Sequence, residues 1–136
     1  MSNTRFATAL HILTLLADAK GEWLSSDWIA GSINIHPVIV RKELGVLNDA
    51  GLVLSRKGKE GGFTLAVGSE DITMDAIYLA IKNSNVLGKK NNQPNPKCPI
   101  GKDINEKLDV LFTGIDNSVV RELSGKTLAD FVSEFH

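Results

Sequence analysis

Residues 25–66, SSDWIAGSINIHPVIVRKELGVLNDAGLVLSRKGKEGGFTLA, constrain the fold more than any other part of this chain. Ser25 or Ser26 can cap a short helix, because either hydroxyl accepts a bond from an orphan amide at the helix start. That helix runs through Trp28, Ile29 and Ala30 to about Ile33. Asn34 and Ile35 make a turn, and Pro37 sits at a first helical position, where the missing N–H costs nothing. A second helix continues to Ala50, with Val40, Leu44 and Leu47 on one face at spacings of four and three. Gly51 stops it as the left-handed residue past a helix end. Val38, Arg41, Lys42, Gly45 and Asp49 are offset from the apolar stripe and face outward.

Residues 52–55 and 63–66 then read as two short strands. The turn between them, Arg56-Lys57-Gly58-Lys59-Glu60-Gly61-Gly62, is glycine-rich and basic, as suits a hairpin connection. Helix, turn, helix and hairpin in that order predict a winged helix-turn-helix, mainly α with a small β-wing. Cations on the outward helix face and the hairpin tip can enter a major groove and rest on the flanking backbone. The candidate contacts to double-stranded DNA are therefore His36, Val38, Arg41, Lys42, Arg56, Lys57 and Lys59. His36 has two readings, a helix cap or a contact to phosphate or base. Arg41 can fork onto guanine or phosphate, or pair with a nearby acid. Lys42 suits a phosphate, and Gly45 suits close backbone approach.

The same residues carry a family resemblance. Ala50-Gly51-Leu52-Val53, and Ser55 through Gly62-Phe63-Thr64-Leu65-Ala66, resemble the helix end and wing of the Rrf2 family of bacterial winged-helix transcription regulators. That family includes iron–sulfur, nitric-oxide and cysteine-metabolism repressors. Its pattern has an AGLV helix end and a wing of the form RG-x-x-GG-(Tyr/Phe)-x-L. Here Lys57-Gly58 stands for Arg-Gly, and Phe63 for the frequent Tyr. In the family the wing arginine reaches into the minor groove; Lys57 keeps the charge but lacks the planar fork. The similarity extends less sharply from Arg5 to Phe135. It implies a homodimeric, sequence-specific repressor, and the branch without a cluster.

The remaining chain fits that plan. Asn3 or Thr4 can cap a first helix to about Ala19, with Phe6, Leu10, Leu13 and Ala17 in one stripe and Ala9, Ile12 and Leu16 beside it. Trp23 and Trp28 read as core, with a pocket-lining or stacking role as the alternative, and His11 as a packed or half-buried histidine without a second ligand nearby. Met74, Ile77, Tyr78 and Ile81 share the buried face of a helix opened by Ile72-Thr73. Residues 83–97, with two prolines and adjacent Lys89 and Lys90, read as a mobile loop.

Cys98 ends that loop and is the sole cysteine. In cluster-binding relatives the loop carries three, so an iron–sulfur cluster on the usual thiolate set is not expected, nor any other cofactor or metal. A lone thiol before a helix can exist as thiolate and sense oxidants, or can be a small buried hydrophobe. From about Ile100 to Leu123 a long helix presents Ile104, Leu108, Leu111, Phe112, Ile115, Val119 and Leu123. Such a helix is expected to pair with its twin, as its counterpart does in the family, and a two-fold dimer would read a roughly palindromic operator. Thr127 caps a last helix. The division is thus 1–82 for the DNA-binding region, 83–99 for the loop bearing Cys98, and 100–136 for the dimerisation and C-terminal helices, in one compact domain.

Charge is distributed to match. The net charge is only −1, yet up to Ala66 there are seven Lys and Arg against six acids, and five of those seven lie on the second helix and hairpin turn. No apolar run reaches membrane-span length and no signal-peptide layout is present, so a cytoplasmic protein is expected. No catalytic triad order, metal-ligand spacing or phosphate loop occurs, which argues against an enzyme. The expected function is a transcription regulator, a homodimeric repressor answering a redox or small-molecule signal. The alternative is a winged-helix protein–protein interaction module, since fold alone does not settle function.

Overall fold

The first helix, α1 (Arg5–Asp18), is the centre of the computed structural model, which describes residues 4–83 and 85–136. Its most enclosed line is Ala9, Ile12, Leu13 and Leu16, while Phe6, Leu10 and Ala17, expected in the main stripe, pack at the edges. Several elements cover α1 at once, so the middle of its broad apolar face is the deepest part. Thr4 precedes it without a side-chain cap bond, and Asn3 lies outside the described residues.

The helix-turn-helix follows as expected, with α2 (Ser26–Ile33) and α3 (Pro37–Asp49). Ser25 Oγ accepts from the Trp28 amide at 3.1 Å, which caps α2. Asn34 takes the left-handed conformation at φ 63° and turns the chain toward α3. Val40, Leu44 and Leu47 are fully buried against α1 and its neighbours. Glu43 is buried beside them and would be costly there if unpaired. Arg5 supplies the partner, donating from Nε at 3.1 Å and Nη2 at 3.2 Å to the two carboxylate oxygens.

The wing is an antiparallel pair, β1 (Val53–Arg56) and β2 (Gly62–Leu65), in register from Val53 opposite Leu65 to Arg56 opposite Gly62. Both strands are shifted by one residue from the expected ones. Leu52 is taken by the helix exit, where its amide donates to the Leu47 carbonyl at 3.0 Å. A third segment joins: Leu24 and Phe63 exchange two backbone bonds of 2.9 and 2.8 Å.

Beyond a 3₁₀ turn at Ser69–Asp71 come α4 (Met74–Ile81), α5 (Pro99–Ser124) and α6 (Leu128–Ser133). Thr127 and Asp130 form a reciprocal capping box at the start of α6. Leu128 and Ile72 are buried together, and the Leu128 amide donates to the Ile72 carbonyl at 2.8 Å. At 26 residues α5 is about 39 Å long, at 1.5 Å per residue.

The stretch between α4 and α5, read from sequence as a mobile loop, is fastened along α5. Asp116, buried on that helix, accepts from the Val86 amide at 2.8 Å and from Lys82 Nζ at 3.0 Å. Asn105 Nδ2 donates to the Asn91 carbonyl at 2.9 Å, and Lys90 pairs with Asp109. The Val86 N–H holds the Asp116 carboxyl below the usual aspartate range, and Lys82 adds to this; burial pushes the other way without reversing it. The folded group therefore takes up its proton at lower pH than the unfolded one. Its contribution to stability is complete above about pH 4 and is lost as pH falls through the folded value. Asp116→Asn should unfold at lower urea near pH 7, by about 1–3 kcal/mol, because Lys82 loses its counter-charge. It should also lose less of its urea midpoint than the wild type between neutral pH and pH 3; an equal loss in both proteins would count against this role for Asp116.

Candidate nucleic-acid interface

The sequence around residues 36–42 places one edge of α3 in solvent. The buried stripe of α3 is three residues wide, so Val38, Ile39, Arg41 and Lys42 are left outside. His36 is the N-cap: its Nδ1 accepts from the Val38 amide at 3.1 Å. With Nδ1 accepting, the neutral ring carries its proton on Nε2, which remains a donor. The two readings of His36 are therefore compatible, since capping uses one nitrogen and leaves the other.

Arg41 Nη1 lies 3.7 Å from Asp27 Oδ1 in the first turn of α2, and both side chains are exposed. An exposed ion pair of this kind is worth about 0–1 kcal/mol, so a phosphate can displace Asp27 at little cost. Among the described residues Lys42, Lys57 and Lys59 have no ion-pair or hydrogen-bond partner. These three exposed ammonium groups, with Arg41, form the cationic edge of the helix-turn-helix and wing.

Arg56 does not join them as expected. Its guanidinium lies 4.3 Å from the Trp23 ring centroid, and its Nε donates to the Glu60 carbonyl at 3.1 Å. The two tryptophans also depart from their expected core positions. Trp23 is half-buried under Arg56, and Trp28 is 56% exposed. Ile29 and Ala30 occupy the inward face of α2, and Trp28, about 100° around the helix from Ile29, is carried out to solvent. Asp27 and Trp28 were not legible as surface features, because α2 is too short for its periodicity to declare a face.

The long helix divides its apolar surface. Phe112 is only 7% exposed and is used within the subunit, as is Leu123, which packs on the core. Both were expected on the dimer surface. On the adjoining side Ile100 is 70% and Leu111 52% exposed, Ile115 is exposed, and Ile104, Leu108 and Val119 are partly covered. At about 100° per residue, Ile100, Ile104, Leu108, Leu111, Ile115 and Val119 fall on one strip, next to the strip holding Phe112 and Asp116. An exposed apolar strip of this length is a candidate interaction surface.

Two further features complete the surface. Cys98 is exposed rather than buried, and its Sγ accepts from the Gly101 amide at 3.3 Å, capping α5. Among the described residues no three His, Cys, Asp or Glu side chains are gathered so as to hold a metal ion, and one thiol does not fit a cluster held by several. Between α1 and α6 lies an apolar groove of about 640 Å³, walled by Leu10, Leu15, Phe131 and Phe135. His11 is also in its wall, with Nε2 3.4 Å from Ser32 Oγ on α2. Sequence carried no sign of this groove, whose walls come from opposite ends of the chain. No helix among the described residues is long and apolar enough to cross a membrane.

The cap at His36 is directly testable. His36→Ala should cost about 1 kcal/mol, seen as a melting temperature several degrees lower, whereas His36→Asn should stay near the wild type because Asn also caps. A His36→Ala melt that overlays the wild type would remove the cap from the account.

Comparison with known proteins follows the same outline. The family model Rrf2, described as an iron-dependent transcriptional regulator, matches residues 2–134. YwnA of Bacillus subtilis, a proposed HTH-type transcriptional regulator, is 37% identical over 133 residues, which is 98% of each chain. The crystal structure of a proposed DNA-binding protein superposes with a TM-score of 0.74 at 34% identity, covering 93% of this chain and 97% of that one. A proposed transcriptional regulator from Lactobacillus plantarum superposes with a TM-score of 0.79 at 25% identity, covering 97% and 89%.

Proposed function

The chain belongs to the Rrf2 family of transcriptional regulators, and we propose that it acts as a homodimeric repressor which grips an operator with α3 and the wing. The observation that carries this reading is the set of lysines at 42, 57 and 59, without ion-pair partners among the described residues, beside Arg41. Unpaired exposed cations on the edge of a groove-sized helix release counterions when they meet phosphates. Val38 and the Nε2–H of His36 lie on the same edge and are the candidates for contact with bases and backbone.

Dimerisation uses the exposed strip of α5 in this reading. Ile100, Leu111 and Ile115 meet their equivalents across a two-fold axis, and the two α3 helices address successive turns of the duplex. The protein works in the cytoplasm, where the DNA is, and performs no catalysis. It also works without an iron–sulfur cluster, since Cys98 stands alone.

The signal acts through one of two places. Cys98 offers an exposed thiol at the junction of the loop and α5, open to oxidation. The α1–α6 groove offers an apolar cavity within the range that takes small molecules, and its His11 touches α2 through Ser32. A Cys98→Ser variant that keeps its DNA affinity in peroxide, where the wild type loses it, assigns the signal to the thiol. Loss of affinity in both proteins, or in neither, removes the thiol and leaves the groove.

A protein–protein module is the second reading, favoured by the exposed Trp28, Val38 and Ile39 beside the same edge. Salt separates the two. With four cations per subunit on phosphates, binding to the duplex upstream of its own gene should show a log–log salt slope of about −7. Arg41→Ala with Lys57→Ala should reduce that slope by about 3 to 4. A shallow wild-type slope, or an unchanged one in the double variant, would favour the protein partner. Leu111→Glu with Ile115→Glu should yield monomers in sedimentation; persistence of the dimer would move the interface off this strip.

A further inference from the structure

Arg56 stands at the end of β1 with two of its guanidinium nitrogens already committed. Nε and Nη2 both donate to the carbonyl of Glu60, across the wing turn from it. The guanidinium carbon lies over the Trp23 ring, 4.3 Å from its centroid. Trp23 belongs to a segment that is itself tied to β2, because its neighbour Leu24 exchanges backbone bonds of 2.9 and 2.8 Å with Phe63. The two glycines of the turn permit this closeness. A Cβ on Gly61 would stand 2.2 Å from the Arg56 carbonyl oxygen, and one on Gly62 2.6 Å from that of Leu24. Gly61 in turn donates to the Gly58 carbonyl at 3.0 Å, so the tip is closed by its own bond.

From this arrangement we infer that Arg56 is a positioning residue: lying over Trp23, it holds the wing tip in one shape so that Lys57 and Lys59 meet DNA already placed. The inference rests on the DNA-binding reading and adds a division of labour within it. A turn of five residues, 57–61, with two glycines has much backbone freedom to lose on binding. Side chains and loops ordered beforehand lose less, which raises affinity without any new contact. Lys57 and Lys59 carry the charge to the phosphates, while Arg56 spends its Nε and Nη2 donors and its place over Trp23 on the wing itself. Lysine cannot replace it, because an ammonium lacks the planar fork.

The test uses the full chain with Arg56→Lys, Trp23→Leu, Trp23→Phe and the double variant Arg56→Lys with Trp23→Leu. Hydrogen exchange at residues 57–61 is measured without DNA, and fluorescence anisotropy with the duplex upstream of its own gene. Arg56→Lys keeps the charge, yet it should speed exchange in the tip and weaken binding about tenfold. Trp23→Leu removes no charge and should do the same. The double variant should be no weaker than either single one, because both break one clamp. Trp23→Phe, which restores an aromatic face, should recover most of the affinity lost in Trp23→Leu. Wild-type binding by Arg56→Lys would overturn the proposal, as would losses that multiply in the double variant, or faster exchange with unchanged affinity. If the wild type fails to bind the duplex, the DNA reading falls; unchanged exchange would then sink the clamp separately, and faster exchange would keep it as a wing lock without that use.

Discussion

Burial of α1 is the constraint on which the other elements depend. Ile12 and Leu13 are wholly enclosed, and α2, α3, α4, α6 and β2 all take part of their cover from this helix. Apolar burial is non-directional, so it holds helices together without choosing how far one slides along another. The fork of Arg5 on Glu43 supplies the direction: two carboxylate oxygens and two guanidinium nitrogens meet in only one alignment of α1 and α3. Helix α3 is thus set by a core that drives it inward and an ion pair that fixes its place along the way.

Outside that core, two devices help to hold the outlying parts. The strand pair of the wing is too small to be stable alone. It is extended by the Leu24–Phe63 bridge and braced by Arg56 between Trp23 and Glu60. The segment before α5 buries little apolar surface of its own, and Asp116 fastens it through Val86 and Lys82. Both devices are polar; in the wing they add to the apolar anchors Val53, Phe63 and Leu65, which lie in or against the core. On the outer strip of α5, Ile100, Leu111 and Ile115 stay in solvent.

Charge works by placement rather than by amount. The chain is slightly acidic overall, and a potential averaged over its surface would not attract a polyanion. Among the described residues Lys42, Lys57 and Lys59 nevertheless have no ion-pair partner, and Arg41 is held only by an exposed pair, so cations are concentrated on α3 and the wing. Some cations elsewhere are occupied, Arg5 with Glu43, Lys82 with Asp116, Lys90 with Asp109 and Lys126 with Glu122, while Lys20, Lys89, Lys97, Lys102 and Lys107 have no such partner among the described residues.

Sequence by itself determined the order of elements, the helix-turn-helix and the wing, because their signals are local. A serine cap, a proline at a first turn, an apolar stripe at three-and-four spacing and a glycine stop each act within a few residues. The single cysteine likewise limited the metal chemistry before any fold was known. Tertiary structure alone decided which of the exposed-looking groups were free. Arg56 and Lys57 are neighbours and equally basic in sequence, but only Arg56 meets an indole and a carbonyl brought in by the fold. Phe112 and Leu111 are neighbours on one apolar helix, yet about 100° of rotation hides the first and leaves the second in solvent. The α1–α6 groove joins residues near both ends of the chain. Such choices depend on contacts between distant segments, and a pattern read along one chain carries no record of which distant partner will arrive.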